Sequence, residues 1–340
     1  MKKKYSLLAL GIAIIALLLW WAGIGEVAEI LKKARGEYLI LAVIMYSMSL
    51  VTWGLRWRVL LKALHVDASF TKILLALLAG IFVNNITPGA RGGGEPVRMY
   101  FLAKETEKPY GQVFATVMMD RILDLVPVIV MLGISTAYVY KLGSLSLTLI
   151  LVLLDMAFAG LILFTLGILL SERKTKGALW WFFRLFERIT PRRADKYRER
   201  FKRIVEEDVP RFQNDFRFLI KHKGTFALAL VYSTASWIFT VLRTYFVFRA
   251  INFPISLVDV MVVQMVGIVI GMISVIPGGA GIIETVNSGI YVILGINKEI
   301  AVTATLLDRL ISYWAPTAIG AVVTTHFGAK LRRKSLIGKR

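Results

Sequence analysis

Long apolar stretches alternate with short polar segments along this chain. Six of them hold the roughly 20 apolar residues needed to cross a hydrocarbon core about 30 Å thick. They cover residues 5–24, 38–55, 113–140, 147–170, 226–251 and 300–327. The first is longer than the apolar part of a signal peptide and no small-residue cleavage site follows it, so we expect it to be retained. The pattern predicts an all-α integral membrane protein with about six full transmembrane helices.

Two further apolar stretches are too short to be simple spans. Residues 73–87 and 260–276 each end at a Pro-Gly pair, and a glycine-rich or polar turn and another short stretch follow. We expect both to be re-entrant helical hairpins, over 73–105 and 260–296, rather than pairs of full crossings. Irregular backbone at membrane depth is tolerated only where protein or a water-filled cavity covers it, so both turns should face inward.

The two hairpins belong to units that share a spacing pattern. In each unit a glutamate follows the proline by seven positions, and an Asp-Arg pair ends 33 or 32 positions after it. A segment with tryptophan and arginine precedes each unit, "TWGLRWR" or "SWIFTVLRTYFVFR". The matching residues are Pro88, Glu95, Asp120 and Arg121 in one unit and Pro277, Glu284, Asp308 and Arg309 in the other. We therefore predict an internal repeat, 38–140 and 226–327.

Composition and charge predict how the chain is oriented in the membrane. The chain is 57% hydrophobic, against about 45–50% in average proteins, and its net charge is +20. Segment 171–224 carries sixteen Lys/Arg against eight Asp/Glu, and the C-terminal tail is basic too. The positive-inside rule places this segment and both termini in the cytoplasm of a multi-pass cell-membrane protein. The first hairpin would then enter from the cytoplasm and the second from outside, and inverted repeats of this kind are typical of transporters.

The basic segment 171–224 is predicted to be an amphipathic cytoplasmic insert within a single membrane domain, 1–340. Six apolar residues recur in it at near-heptad spacing and could lie on lipid or on the bundle. They are Tyr197, Phe201, Ile204, Phe212, Phe216 and Leu219. Trp180 and Trp181 are placed at the headgroup level. The expected partners are membrane lipids and the anionic leaflet surface rather than nucleic acid, because the basic clusters adjoin spans. Homo-oligomerisation stays open.

No cofactor or metal site is expected. The chain has no cysteine, which excludes disulfides and thiolate ligands. Its three histidines, His65, His222 and His326, all fall near predicted span ends, which disfavours a histidine-based metal site.

The strongest candidates for function are the arginines inside predicted spans. Arg121 lies about eleven residues into its helix, roughly 16 Å deep at 1.5 Å per residue, and Arg309 about as far from the opposite face. A charge at the bilayer centre costs at least about 2.5–3.5 kcal/mol, so such residues must be paired or hydrated. A purely structural alternative is that they pair with Glu95 and Glu284 and fasten each hairpin to its neighbouring helix.

The glycine-rich turns suggest anion binding. Glycine lets successive N–H groups converge, and inward-pointing helix N-termini favour an anion. Arg91 and Arg98 have the fork geometry suited to phosphate. The alternative is that the glycines only permit tight turns. The turn residues are Pro88, Gly89, Gly94, Pro277, Gly278 and Gly279, and Asp120 and Asp308 complete the predicted site.

The series "NNITPGARGGGEPVR", "MMDRILD", "PGGAGIIE" and "LLDR" resembles the flippase-like transmembrane family named after lysylphosphatidylglycerol synthase. The resemblance covers roughly residues 5–328. It implies a membrane domain that moves an anionic-core or aminoacylated lipid between leaflets, and archaeal members are linked to dolichol-phosphate sugars. In that family a separate soluble domain performs aminoacyl transfer, and we expect none in these 340 residues.

We therefore expect a transporter rather than an enzyme, namely a lipid flippase or scramblase for a phosphate-headed lipid. Two alternatives stay open from the residues. One is an integral-membrane transferase that acts on a lipid phosphate, although no Asp-x-Asp pair lies at a cytoplasmic span end. The other is a membrane scaffold that acts through the basic insert.

Overall fold

The described part of the chain is helical. The structure, a computed structural model, describes the backbone of residues 2–87 and 93–337, and no strand occurs among them. The predicted all-α class is confirmed. The helices are α1 (Lys2–Ala22), α2 (Ile24–Lys32), α3 (Gly36–Ala63), α4 (Phe70–Ile86), α5 (Gly94–Thr106), α6 (Tyr110–Lys141), α7 (Leu145–Leu169), α8 (Glu172–Ile189), α9 (Pro191–Arg203), α10 (Val209–Lys221), α11 (Lys223–Ala250), α12 (Leu257–Ile273), α13 (Ile282–Ile293), α14 (Lys298–Arg309) and α15 (Ala315–Ile337). Two π-helical segments, Ile204–Asp208 and Leu310–Trp314, and a 3-10 turn, Pro277–Gly279, lie between helices.

Several helices are long and apolar enough to cross a membrane. Among the described residues these are α3, α6, α7 and α11, and a fifth span results if α1 and α2, bent by 83° at Gly23, count as one. The chain is thus an integral membrane protein. The predicted span 300–327 is helical throughout, with a π-helical segment between α14 and α15, and it holds Asp308 and Arg309. The number six stays a prediction.

Two successive series of helices have matching lengths. α3 and α11 have 28 residues each, α4 and α12 have 17 each, and α5 and α13 have 13 and 12. At 1.5 Å per residue, 17 residues extend about 25 Å, which is short of a full hydrocarbon core. In each series a second short helix comes next along the chain, α5 after α4 and α13 after α12. The re-entrant hairpins stay a prediction.

The long helices α3 and α11 pack antiparallel. Near the start of α3, the Arg35 amide donates to the carbonyl of Ala250 at the end of α11, over 2.8 Å. Further along, the Ser236 hydroxyl donates to the Ser49 carbonyl over 3.1 Å. The two series therefore begin with oppositely directed helices in contact.

The basic insert is part of the bundle. Phe212, Phe216 and Leu219 of α10 are buried and pack with Trp57 and Leu61 of α3 in one continuous core. The sequence left open whether the near-heptad residues lie on lipid or on the bundle. The three of them in α10 lie on the bundle. Deleting segment 171–224 would expose this core, so such a deletion cannot separate a scaffold role from loss of the fold.

Close helix approach explains one glycine of the first hairpin. Gly94 opens α5 where this helix crosses α4, and its amide donates to Asn84 Oδ1 over 2.7 Å. A Cβ at Gly94 would lie 2.3 Å from the carbonyl oxygen of Gly80. Pro88, Gly89 and Arg91, also predicted for this turn, lie outside the described residues.

We expect Gly94→Ala to lower the free energy of unfolding by about 1–3 kcal/mol, the usual cost of overpacking. The clash is with backbone, which cannot swing away as a flexible side chain would. The measurement is denaturant or thermal unfolding of the purified protein in detergent. Gly177→Ala on α8 is the matched control, because nothing lies within 4 Å of its added Cβ, and it should be neutral or stabilising. Equal stability of the two variants would contradict the close approach.

Candidate functional site

Asp120 of α6 is the centre of a first charged cluster. It accepts hydrogen bonds from Arg56 Nε over 2.6 Å, Arg98 Nη1 over 2.7 Å and Trp53 Nε1 over 3.0 Å. Asp120 is fully buried, and Arg56 and Arg98 are each 1% exposed. This carboxylate joins α3, α5 and α6. Both of its oxygens are already bonded.

Arg121 lies beside this cluster and is more open. Its Nη2 pairs with Glu95 Oε1 at the start of α5, and its Nη1 lies 3.9 Å from Asp124 Oδ2. Its side chain is 35% exposed. Asp124 in turn accepts from Arg56 Nη1 over 2.8 Å and from Trp237 Nε1 over 3.2 Å, so it connects the cluster to α11.

A second cluster repeats this arrangement in the other series. Arg243 of α11 forms a bidentate pair with Asp308 of α14, over 2.8 and 3.0 Å. Arg309 donates from Nε to Glu284 Oε1 over 2.8 Å and from Nη2 to the Gly278 carbonyl over 3.1 Å. Glu284 Oε2 accepts from the Gly281 amide over 2.7 Å and so caps α13.

The two clusters correspond pair by pair. In each, an arginine of the long helix binds the aspartate of the Asp-Arg motif, at separations of 64 and 65 residues. The arginine of the motif binds the glutamate of the hairpin, at separations of 26 and 25 residues. Both pairs named by the structural alternative, Arg121–Glu95 and Arg309–Glu284, are therefore present.

The ends of two short helices meet at Tyr313. Its hydroxyl lies 3.3 Å from the carbonyl oxygens of Asn85, near the end of α4, and of Pro277, in the second turn. The Arg309 guanidinium lies 4.0 Å from the centre of the Tyr313 ring. Gly278 has φ +60°, and a Cβ there would lie 2.2 Å from the ring. The segment Leu310–Trp314 is π-helical, a distortion frequent at functional sites.

An open cavity of about 210 Å³ lies at this meeting point. It is bordered by side chains from both series. They include Tyr46, Asn85, Trp237, Arg243, Asp308, Arg309 and Tyr313. Among the predicted site residues, Arg309 and Asp308 line it, whereas Asp120 and Arg98 are buried away from it. The structure thus distributes the predicted residues over two clusters.

Charge is balanced within each cluster. The first holds Arg56, Arg98 and Arg121 with Glu95, Asp120 and Asp124, and the second holds Arg243 and Arg309 with Glu284 and Asp308. Pairing of this kind is what lets charges lie inside a membrane bundle. A ligand would therefore be recognised by the remaining N–H donors rather than by excess positive charge.

Sequence reasoning did not assign Arg56, Arg243 and Tyr313 to the site. The signal for the two arginines was the shared Trp-and-Arg segment ahead of each unit. Tyr313 had no comparable signal, since its role depends on the π-helical turn and on the neighbouring carbonyls.

Short interrupted helices, oppositely directed long helices and paired buried charges define a polytopic helical membrane protein. A sequence model described as "Lysylphosphatidylglycerol synthase TM region" matches residues 8–320. The chain belongs to this family, as its motifs predicted.

Curated relatives agree with the assignment. A UPF0104 membrane protein of Pyrococcus horikoshii is 36% identical over 322 residues, which cover 94% of this chain and 96% of the relative. A UPF0104 membrane protein of Methanothermobacter thermautotrophicus is 30% identical over 98% of both chains. A more distant relative, named glycosyltransferase AglD, from Haloferax volcanii, is 24% identical over 93% of this chain but only 53% of its own length.

Proposed function

We propose that the protein is a lipid flippase or scramblase that moves an anionic or phosphate-headed lipid between leaflets. The headgroup passes through the polar cavity while the acyl or isoprenoid tails stay in the bilayer. The observation that carries the proposal is the open cavity between the two series, which has buried arginines in an otherwise apolar bundle. Charged side chains inside a membrane bundle must be paired or hydrated, and an open cavity bordered by them can accommodate a polar headgroup.

Roles for the predicted residues follow from their contacts. Arg309 donates to the lipid phosphate at the cavity, and Arg121 does so at the equivalent place in the first series. Glu284 and Glu95 hold these arginines in position. Asp120 and Arg98 are positioning residues, since their contacts link α3, α5 and α6. Asp308 is a positioning residue that links α11 to α14.

The proposed topology has six spans and two re-entrant hairpins related as inverted repeats. The N-terminus, the basic insert and the C-terminus lie in the cytoplasm. Support comes from the matching helix lengths of the two series and from the antiparallel contact between α3 and α11. In transporters built this way, the substrate lies near the midplane at the interface of the repeats.

Reconstitution tests the proposal. Proteoliposomes carrying a fluorescent phosphatidylglycerol in both leaflets are treated with a membrane-impermeant reductant. We expect the protected inner-leaflet fluorescence to be lost with protein and kept in protein-free vesicles. Retention of that fluorescence with folded protein, in the presence and absence of ion gradients, would reject both flippase and scramblase activity for this lipid class.

The relative named glycosyltransferase AglD favours one second candidate, a membrane transferase that acts on a lipid phosphate. The match occupies about half of that relative, so the activity in its name need not lie in the shared part. Turnover of a nucleotide sugar by the purified protein with a polyprenyl phosphate would support the transferase.

A further inference from the structure

Helix α8 has two apolar faces, and among the described residues one of them is packed. On the packed face, Phe183 is 6% exposed and stacks on Phe201 of α9 at 4.4 Å between ring centres. Trp180 meets the same ring edge-on at 5.2 Å. These contacts fold α8 against the rest of the insert.

The other face remains open over two helical turns. Its four large apolar side chains are between 39% and 62% exposed. They are Trp181, Phe182, Leu185 and Phe186. Positions i, i+1, i+4 and i+5 lie on one side of a helix, so these side chains form a continuous stripe. A contiguous exposed apolar stripe of this kind marks an interaction surface.

The position of α8 identifies the surface that it meets. α7 is a membrane span that ends at Leu169, and only two residues separate it from the start of α8 at Glu172. The end of α7 is held by the insert itself. Gln213 Nε2 donates to the Leu169 carbonyl over 3.0 Å and Arg217 Nη2 to the Leu170 carbonyl over 2.8 Å. α8 is thereby fixed beside the membrane boundary.

Charge complements this placement. α8 carries five basic and two acidic residues. At 100° per residue, Arg184 and Arg188 follow one edge of the stripe. Aromatic side chains beside arginines are the composition of a helix that lies in the interface of an anionic bilayer.

We propose that α8 docks on the anionic surface of the leaflet at which α7 ends. Phe182 and its neighbours on the stripe lie among the upper acyl chains, and Arg184 and Arg188 lie at the level of the lipid phosphates. The surface is separate from the cavity and does not depend on lipid transport.

The absence of native cysteine allows a direct depth measurement in the full chain. A nitroxide is attached at Phe182→Cys, and at Gly177→Cys as the control. Gly177 is an exposed position on the same helix with nothing within 4 Å of an added Cβ. Both proteins are reconstituted in vesicles of phosphatidylcholine with and without phosphatidylglycerol, and collision rates with oxygen and with a water-soluble nickel chelate are measured by electron paramagnetic resonance.

We expect the label at residue 182 to collide several-fold more with oxygen than with the chelate, and the label at 177 to show the reverse. Phosphatidylglycerol should increase the ratio of oxygen to chelate collisions at residue 182. The double substitution Arg184→Glu, Arg188→Glu should remove that increase. Equal chelate access at both positions would overturn the docking. Spin–spin broadening between two labels at 182 would assign the face to a second copy of the chain and overturn it as well. An increase that survives the double Glu variant would overturn the role of the arginines.

Discussion

Replacement of Asp120 by asparagine is expected to lower the free energy of unfolding by about 3–5 kcal/mol, the usual effect of breaking a buried ion pair from one side. Asp120 is the carboxylate that binds both Arg56 and Arg98. Arg56 keeps Asp124 as a partner. Arg98 keeps the Val117 carbonyl, at 3.4 Å, and two tryptophan rings, but no carboxylate among the described residues. The amide of asparagine preserves the shape and removes the charge, so Arg98 is left buried and uncompensated.

The measurement is reversible unfolding in mixed detergent micelles, followed by circular dichroism. Glu37→Gln is the control, since it removes a carboxylate from an exposed pair with Arg35 in which the glutamate side chain is 62% exposed. Pairs of this kind contribute about 0–1 kcal/mol. If Asp120→Asn cost no more than Glu37→Gln, the cluster around Asp120 would not be the link between α3, α5 and α6 that its contacts indicate.

Replacement of Arg309 by an uncharged residue is expected to have the second large effect, a slower rate of lipid crossing between leaflets. Arg309→Gln alone would leave Glu284 buried and unpaired, so the variant to study is Arg309→Gln combined with Glu284→Gln. The glutamine at position 284 can still accept from the Gly281 amide and cap α13. A hydrogen bond to a charged group contributes about 1.5–3 kcal/mol. Its loss at the phosphate should therefore slow crossing by roughly ten- to a hundredfold, at 1.4 kcal/mol per factor of ten.

The rate is followed in the reductant assay, with circular dichroism to show that the double variant is folded. Arg35→Gln with Glu37→Gln makes the same change of charges at an exposed pair and should leave the rate unchanged. A folded Arg309→Gln, Glu284→Gln protein with the unaltered rate would remove Arg309 from the transport path. A folded Arg121→Ala, Arg309→Ala protein with normal crossing would reject both arginines.

The pairs Arg121–Glu95 and Arg309–Glu284 could be predicted from sequence spacing. Each unit places a hairpin glutamate and an arginine on a following helix at nearly the same separation, 26 and 25 residues. Asp120 and Asp308 could not be placed in the same way. Neighbouring residues on a helix point about 100° apart. Asp120 and Asp308 therefore reach arginines of the long helices α3 and α11, in addition to the contact of Asp120 with α5. The adjacent arginines bind the glutamates of α5 and α13.

The amino-acid sequence by itself determined that the chain is helical and lies in a membrane, and it predicted two related units. Hydrophobic length, charge and repeat spacing are properties of local segments. Only the tertiary structure decided which arginine each aspartate binds, that α10 packs into the bundle, and that Tyr313 lies where two short helices end. Those contacts join residues from 22 to 228 positions apart. They depend on how whole helices cross, which no local pattern specifies.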